Sequence, residues 1–330
     1  MAAPLFSVVT PCLDPGPRLE RCLASVAAQR ARVEHVVVDG GSTDGTVELL
    51  RRSEGLRWVS EPDAGQTNAI NKGFALADGD YLTWLNADDE LAPGAVERAE
   101  RAFAAHPEAG LVYGDCRVVG AERGPAIWHA PRRFDAAAIE AGEVAPQIGA
   151  FVARWALDRV GPLDESFELA MDVDLWIRLV DAGVPTVRVH GVVATFELHA
   201  GSKSGSVPRV EFFHEQARAF AKSGRMRAAA LALGRGAAEA AFDGTRVDDA
   251  ALERELDAAR ARGRALGDVP DAEIVAAAQT EAAVLELRSS PRGLARLVRA
   301  QPWRRRELRA RVRAAASRRA LHALDRMRSR

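Results

Sequence analysis

The sequence predicts an α/β protein, with a mostly parallel β-sheet covered by helices on both faces over residues 1–209 and a helical region over residues 210–330. Two observations predict the sheet. Short β-branched and apolar runs alternate with helical patterns, and polar residues follow the early runs. A third observation predicts the helical region, because the segments beyond about residue 210 are rich in Ala, Arg and Glu and show no strand pattern.

The first strand is predicted over Leu5–Thr10, where β-branched residues dominate, and apolar residues at helical spacing predict a helix over Arg18–Gln29. Pro93 favours the first turn of another helix. Strands joined through helices run parallel. Further strands are predicted over Val33–Asp39, Leu56–Ser60, Tyr81–Asn86, Leu111–Val119 and Thr186–Phe196, and further helices over Thr67–Ala77, Val173–Ala182, Ala250–Ala265 and Trp303–Met327.

Composition excludes several classes of protein. The chain has 330 residues, 48% of them hydrophobic, and a formal net charge of -1, which argues against binding nucleic acid along its whole length. Its three cysteines show no metal-binding spacing and indicate reduced thiols. No apolar run approaches the roughly 18 residues of a membrane span. We expect a cytoplasmic protein, or one that lies on the inner face of the membrane.

Polar residues stand where the predicted strands end, as in Thr10-Pro11, Asp39, Glu61-Pro62-Asp63 and Asn86-Ala87-Asp88. In open parallel sheets, ligands bind outside the carboxyl ends of the strands. These residues are therefore predicted to share one ligand-binding edge.

The acidic run Asp88-Asp89-Glu90 has two interpretations. Carboxylates after a buried strand suit Mg²⁺ or Mn²⁺, which bridge one or two carboxylates to substrate phosphates. Acids also favour the N-terminus of a helix, here the one that begins near Pro93. The residues alone favour neither.

The loop after Asp39, GGSTDGT, lacks the spacing of both the Walker loop and the dinucleotide-binding glycine motif. ATP hydrolysis and dinucleotide redox chemistry therefore lose support. Taken alone, the loop is best explained as an ordinary capped turn between a strand and a helix.

Four ordered motifs together resemble glycosyltransferase family 2. They are FSVVTPCLD, VVVDGGSTDGT, EPDAGQTNAINKGFALADGDYLTWLNADDELAPG and ESFELAMDVDLWIRL, and they cover about residues 5–205. The resemblance implies the GT-A fold and an inverting transfer of a sugar from a nucleotide-diphosphate donor to an acceptor hydroxyl. It also implies a divalent metal, Mn²⁺ or Mg²⁺, and a glycan or lipid-linked acceptor, as in members that build polysaccharides and cell-surface glycans.

The resemblance also implies roles in donor binding. Thr10 and Pro11 would line the nucleotide pocket, and Asp39 would bind the base. Asp63 and Lys72 would border the donor. Asn86 stands in the first position of the family's D-x-D motif, where an amide replaces the usual carboxylate.

The metal and the general base are assigned in the same way. Asp88 would be the main metal carboxylate, and His199 matches a histidine that lies on the metal or the diphosphate in many GT-A enzymes. Asp172 matches the family's general base, although Met171 replaces the preceding Glu. From the residues alone, Asp172 and Asp174 are better explained as caps of the helix that follows them.

Two other functions stay open. A nucleotidyltransferase also uses an α/β sheet, acids and a metal, but the first strand here is followed by CLDPGPR rather than a basic glycine-rich loop. The second is a catalytically silent sugar-nucleotide-binding module, which stays open because Asn86 and Met171 depart from the family's motifs. The arginine-rich segment 303–327 is expected to pack as a helix, with membrane contact as a second interpretation.

Overall fold

The computed structural model describes residues 5–120, 125–242, 246–267 and 269–289. The chain divides into two compact units. Unit 1 spans Met1–Ile139 and Glu143–Ser206, and unit 2 spans Glu140–Gly142 and Val207–Arg330. The domain boundary after residue 209 stays a prediction, because compactness does not test whether either part folds alone.

The first part of the chain alternates strands and helices as the sequence predicts. The strands are β1 Phe6–Cys12, β2 Val33–Asp39, β3 Leu56–Ser60, β4 Tyr81–Trp84, β5 Glu90–Leu91, β6 Leu111–Val119, β7 Ala126–Trp128, β8 Phe151–Ala153 and β9 Thr186–Glu197. The helices are α1 Arg18–Ala27, α2 Thr46–Arg52, α3 Gln66–Leu76, α4 Ala95–Ala105, α5 Ala136–Glu140, α6 Arg154–Val160, α7 Met171–Asp181 and α8 Lys203–Ser206.

The strands form one mixed sheet in the order β3-β2-β1-β4-β8-β6-β9-β5, with β7 beside β6. The pairs β1–β2, β1–β4, β2–β3 and β6–β9 are parallel. The predicted α/β class and mostly parallel sheet are confirmed. The short strands β5 and β7, which pair in antiparallel fashion, were not predicted, because two or three residues are too few to show a periodic pattern.

Strand β1 is buried on both faces, as expected for the central strand of a parallel sheet. Helix α3 packs close to it through Gly73. A Cβ atom at Gly73 would lie 2.2 Å from Cγ1 of Val9, so only glycine permits this approach. The contact fixes α3 against the sheet. The first residue of the helix, Gln66, lies near the carboxyl end of β4.

Aromatic side chains fill the core of unit 1. Trp84 and Trp176 are 2% and 1% exposed, and their rings stack at 6.1 Å, which joins β4 to α7. The apolar patterns around Trp84, Trp155 and Trp176 predict all three in the core, and the structure confirms this for Trp84 and Trp176. Trp155 is instead 43% exposed on α6, so the prediction is wrong for this residue.

Unit 2 contains the helices α9 Arg209–Lys222, α10 Met226–Ala240, α11 Asp249–Ala265 and α12 Asp271–Ser289. Helix α10 is central and consists largely of buried alanines. A Cβ atom at Gly234 would lie 2.4 Å from the carbonyl oxygen of Ile274, so the small residue lets α10 and α12 pack closely. Asp248 caps α11 by accepting hydrogen bonds from the backbone N–H groups of Ala250 and Ala251.

Within the described ranges, every helix is too short or too polar to pass through a lipid bilayer. The predicted basic helix over residues 303–327 lies outside the described residues. The predictions about its packing and its membrane contact therefore stay predictions.

Candidate active site

Asp39 ends β2 and is completely buried. Its carboxylate accepts a hydrogen bond from the Ser60 hydroxyl at 2.6 Å and from the backbone N–H groups of Gly41 and Ser42 at 3.2 Å and 3.1 Å. The Ser42 hydroxyl also donates to it. The side chain therefore holds the loop after β2 and joins it to β3.

These contacts set the pKa of Asp39. Burial raises the pKa, but hydrogen bonds from Ser42, Ser60 and Gly41 outweigh burial and hold it below its ordinary value. Asp39 is thus charged at neutral pH, although no part of it is exposed.

Thr10 and Pro11 lie in the buried strand β1. The Thr10 hydroxyl is 2.9 Å from Nε2 of His35, so this side chain serves the core. Burial lowers the pKa of His35 to about 4, which keeps its ring neutral. The Thr10 side chain is therefore occupied. A contact between this part of β1 and a sugar nucleotide would come from the backbone or from the Pro11 ring.

Asp63 and Lys72 lie beside the loop after β2. Asp63 accepts a hydrogen bond from the N–H of Gly65 at 2.8 Å, and its Oδ2 lies 2.8 Å from where a Cβ of Gly40 would stand. Lys72 donates to the Glu61 carboxylate at 2.7 Å and to the Pro62 carbonyl at 3.2 Å. Asp39, Asp63 and Lys72 therefore belong to one neighbourhood, at the ends of β2 and β3.

Asn86 belongs to a second neighbourhood, at the end of β4. Its Oδ1 accepts a hydrogen bond from Nε2 of Gln66 at 2.7 Å, and its Nδ2 donates to Oδ2 of Asp89 at 3.0 Å. Asp89 is completely buried and also accepts the backbone N–H of Glu197. Burial raises the pKa of Asp89 well above its ordinary value, and the charge of Asp88 raises it further.

Asp88 and His199 form a partly exposed pair, in which Oδ2 of Asp88 lies 3.1 Å from Nε2 of His199. The backbone N–H of Gly201 donates to Nδ1 of the same ring. Nδ1 therefore carries a lone pair. In the neutral ring, Nε2 carries the hydrogen and donates a hydrogen bond to Asp88. The structure brings together the two residues that the resemblance places at a metal.

Asp88 and His199 fit a metal ion that would take its remaining ligands from the substrate. In the described parts of the chain, no three or more His, Cys, Asp or Glu side chains lie close enough together to hold a metal ion by themselves. Mg²⁺ is typically held by one or two carboxylates, with substrate phosphates and water as further ligands. Asp88 offers such a carboxylate, and His199 lies next to it.

Asp172 is the second residue of α7 and is partly exposed, and its Oδ1 accepts the backbone N–H of Val173 at 2.8 Å. Asp174 is buried and forms an ion pair with Arg178 at 2.8 Å. Arg178 also donates to the carbonyls of Val160, Gly161 and Pro162, so Asp174 anchors α7. Of these two acids, Asp172 is the one whose side chain is partly exposed.

The segment before α7 is attached to the start of α3. The Thr67 hydroxyl donates to the Phe167 carbonyl at 2.7 Å, and Lys203 donates to the Glu168 carbonyl at 2.7 Å. Lys203 also donates to Oε1 of Gln66 at 3.3 Å. These bonds bring the chain just ahead of Asp172 to the neighbourhood of Asn86.

Gln66 and Lys203 were not among the predicted site residues. Gln66 lies within the motif EPDAGQTNAINKG, and its place on the first turn after a strand was the available signal. Lys203 begins the short helix α8. The buried Ser202 hydroxyl stabilises this turn by accepting the N–H of Gly205 and donating to the His199 carbonyl.

The sequence is similar to a known protein family. The model of "Glycosyl transferase family 2" matches residues 7–157. A Mycobacterium tuberculosis protein described as an uncharacterized glycosyltransferase is 34% identical over 186 residues, which cover 54% of this chain and 69% of that protein. The chain belongs to glycosyltransferase family 2. It is therefore a glycosyltransferase, as the sequence motifs predict.

A second relative of this family 2 glycosyltransferase is a PGL/p-HBAD biosynthesis glycosyltransferase of Mycobacterium bovis. It is 38% identical over 122 residues, which cover 35% of this chain and 48% of that protein. The match therefore spans about half of the relative's length.

Solved structures show the same fold. TarS residues 1–349 of S. aureus, in complex with UDP-GlcNAc, match with a TM-score of 0.60 and 16% identity, covering 89% of this chain and 88% of that chain. The mannosyltransferase PcManGT from Pyrobaculum calidifontis, in complex with GDP-Man and Mn²⁺, matches with a TM-score of 0.58 and 20% identity, covering 94% and 87%. The family 2 enzyme thus has the GT-A fold that the motifs predict.

Proposed function

We propose that this glycosyltransferase moves a sugar from a nucleotide-diphosphate donor to an acceptor hydroxyl, with inversion at the anomeric carbon. The observation that carries the proposal is the pairing of Asp88 with His199 beside Asn86, at the carboxyl end of β4. A carboxylate, an imidazole and an amide at the end of a parallel strand suit a ligand that carries phosphates and hydroxyl groups.

The nucleoside is proposed to lie over the ends of β1, β2 and β3. Pro11 and the backbone of Thr10 line this region, and Asp63 and Lys72 border it. The Asp39 carboxylate already accepts hydrogen bonds from the loop after β2 and from Ser60. It can therefore bind the base only if one of these hydrogen bonds breaks.

A divalent cation is proposed at Asp88, with His199 beside it. The donor set fits such an ion, and PcManGT was solved with Mn²⁺ and GDP-Man. When bound, the ion would offset the negative charge that develops on the departing diphosphate.

Asp172 is proposed as the general base. It takes the proton of the acceptor hydroxyl, whose oxygen forms a bond to the anomeric carbon as the bond from that carbon to the diphosphate oxygen breaks. The nucleoside diphosphate leaves with the bonding electrons, so the sugar gains the acceptor oxygen on the face opposite the leaving group. The hydrogen bonds that the segment before α7 accepts from Thr67 and Lys203 support this role, because they hold the chain just ahead of Asp172 near Asn86.

The acceptor is proposed to be a glycan or a lipid-linked acceptor. The relatives support this class, since one is described as a PGL/p-HBAD biosynthesis glycosyltransferase and a Myxococcus xanthus relative as an O-antigen biosynthesis protein. The M. xanthus protein is 33% identical over 187 residues, which cover 54% of this chain but 15% of that protein.

Donor hydrolysis tests the proposal against its two alternatives. The full chain is incubated with a panel of nucleotide-diphosphate sugars, with and without Mn²⁺, and the released nucleoside diphosphate is measured. We expect slow release of the nucleoside diphosphate that depends on Mn²⁺. The free sugar that forms first should have the anomeric configuration opposite to that of the donor. A nucleotidyltransferase would instead form pyrophosphate from a nucleoside triphosphate and a sugar phosphate. A silent module would be stabilised by a donor without releasing product.

A further inference from the structure

Four polar side chains form a continuous hydrogen-bonded series at the end of β4. Lys203 Nζ donates to Gln66 Oε1 at 3.3 Å, and Gln66 Nε2 donates to Asn86 Oδ1 at 2.7 Å. Asn86 Nδ2 then donates to Asp89 Oδ2 at 3.0 Å. The series links the segment after β9, the start of α3 and the end of β4.

The ammonium group of Lys203 fixes the direction of the whole series. A lysine can only donate, so Gln66 must present its oxygen to Lys203 and its N–H group to Asn86. Asn86 must then present its oxygen to Gln66 and its N–H group to Asp89. Both amides are therefore held in one of their two orientations, and this holds for either protonation state of Asp89.

We propose that Gln66 is a positioning residue of the donor site, which acts by fixing the orientation of the Asn86 amide. Asn86 is partly exposed, and after its bonds to Gln66 and Asp89 its Oδ1 retains a second lone pair. A fixed acceptor of this kind suits a ribose hydroxyl of the bound sugar nucleotide. This inference rests on the proposed function, because it assigns a role within the same site.

The series also accounts for an amide in the first position of the D-x-D motif. An aspartate at position 86 would place a carboxylate oxygen where Nδ2 now stands, 3.0 Å from Oδ2 of Asp89. A carboxylate there could donate to Asp89 only if it carried a proton, whereas the amide always has an N–H group to donate. The amide therefore supplies a hydrogen bond of the series that an ionised aspartate could not supply.

Two substitutions separate the proposed role from simple support of Lys203. Gln66→Met removes both hydrogen bonds. Gln66→Glu keeps an acceptor for Lys203 but has no N–H group to donate to Asn86. A matched control is Gln29→Met, because the Gln29 amide is also buried and bonded, to the carbonyls of Ser25 and Ala92 and the N–H of Val96.

Calorimetric titration with UDP, GDP, CDP and dTDP in the presence of Mn²⁺ gives the dissociation constants. For the nucleotide that the wild-type chain binds, we expect Gln66→Met and Gln66→Glu each to weaken affinity by about tenfold, the value of roughly one hydrogen bond of ordinary strength. We expect Gln29→Met to stay within about twofold of wild type, since its hydrogen bonds serve the core alone.

Each outcome decides between the hypotheses. If Gln66→Glu binds as tightly as wild type, Gln66 does not act through Asn86 and the inference is wrong, while the proposed function stands. If the wild-type chain binds none of the four nucleotides, the proposed function itself fails. Thermal unfolding of each variant shows that it is folded, and Gln66→Glu serves as the test if Gln66→Met does not fold.

Discussion

Asp39 and Asp88 lie at the carboxyl ends of two parallel strands of the same sheet, but their surroundings differ. Asp39 is completely buried, and its oxygens accept hydrogen bonds from Ser42, Ser60 and Gly41. Asp88 has a side chain that is 21% exposed and that pairs with His199. One carboxylate is saturated by the protein, whereas the other retains capacity for a ligand.

The difference shows how one sheet end can hold a structural acid and a binding acid. A buried carboxylate with several donors stabilises the loop that supplies them, and it loses that stabilisation if a donor moves away. A partly exposed carboxylate contributes little to folding, but it can exchange water for a cation or a phosphate ligand. We therefore expect changes at Asp39 to affect stability first and changes at Asp88 and Asp172 to affect function first.

The largest effect is expected at Asp172, the third acid of the site. Asp172→Asn should lower turnover by roughly 10²- to 10⁴-fold, because general-base assistance is lost, and should leave donor affinity nearly unchanged. Steady-state transfer and nucleotide titration would measure the two quantities. Asp174→Asn is the comparison variant, since Asp174 pairs with Arg178 and should affect stability instead. Full turnover of Asp172→Asn would refute the assignment of the base.

A smaller effect, on stability, is expected at Asp39. Asp39→Asn should reduce the free energy of unfolding by about 2 kcal/mol, because an amide N–H group would face the N–H and O–H donors of the loop. Urea unfolding measures the difference. Asp44→Asn, in the exposed part of the same loop, should cost less. An Asp39→Asn variant as stable as wild type would show that the loop does not depend on this charge.

The same variant has an expected pH dependence. Because the pKa of Asp39 is held below its ordinary value in the folded chain, its charge stabilises the fold above the unfolded pKa. This stabilisation is lost as the pH falls through the folded pKa. The stability difference between wild type and Asp39→Asn should therefore be full near pH 6 and shrink below about pH 4.

The long, regular elements could be predicted from the sequence. The runs at Phe6–Cys12 and Val33–Asp39 are buried strands rich in β-branched residues, and their pattern is unambiguous. The short strand Glu90–Leu91 could not be predicted, since its pairing with β9 depends on a segment about a hundred residues later. Local pattern carries no information on such distant pairing.

The site shows the same division. The acids at strand ends were visible in the sequence, because a change from apolar to acidic residues marks the end of a buried strand. Two features could not be predicted from the sequence: the hydrogen bond between the Thr10 hydroxyl and His35, and the hydrogen-bonded series through Gln66. They depend on side-chain direction and on contacts between elements far apart in the chain, such as Gln66 and Lys203.

The central claim is that Asp88 binds a cation that the nucleotide diphosphate shares. Nucleotide titration with and without Mn²⁺ on wild type and on Asp88→Asn tests it most directly, with Asp78→Asn, an exposed acid before β4, as the control. We expect Mn²⁺ to tighten wild-type and Asp78→Asn binding by about tenfold or more, and to leave Asp88→Asn binding unchanged. Equal enhancement by Mn²⁺ in Asp88→Asn and wild type would contradict the claim.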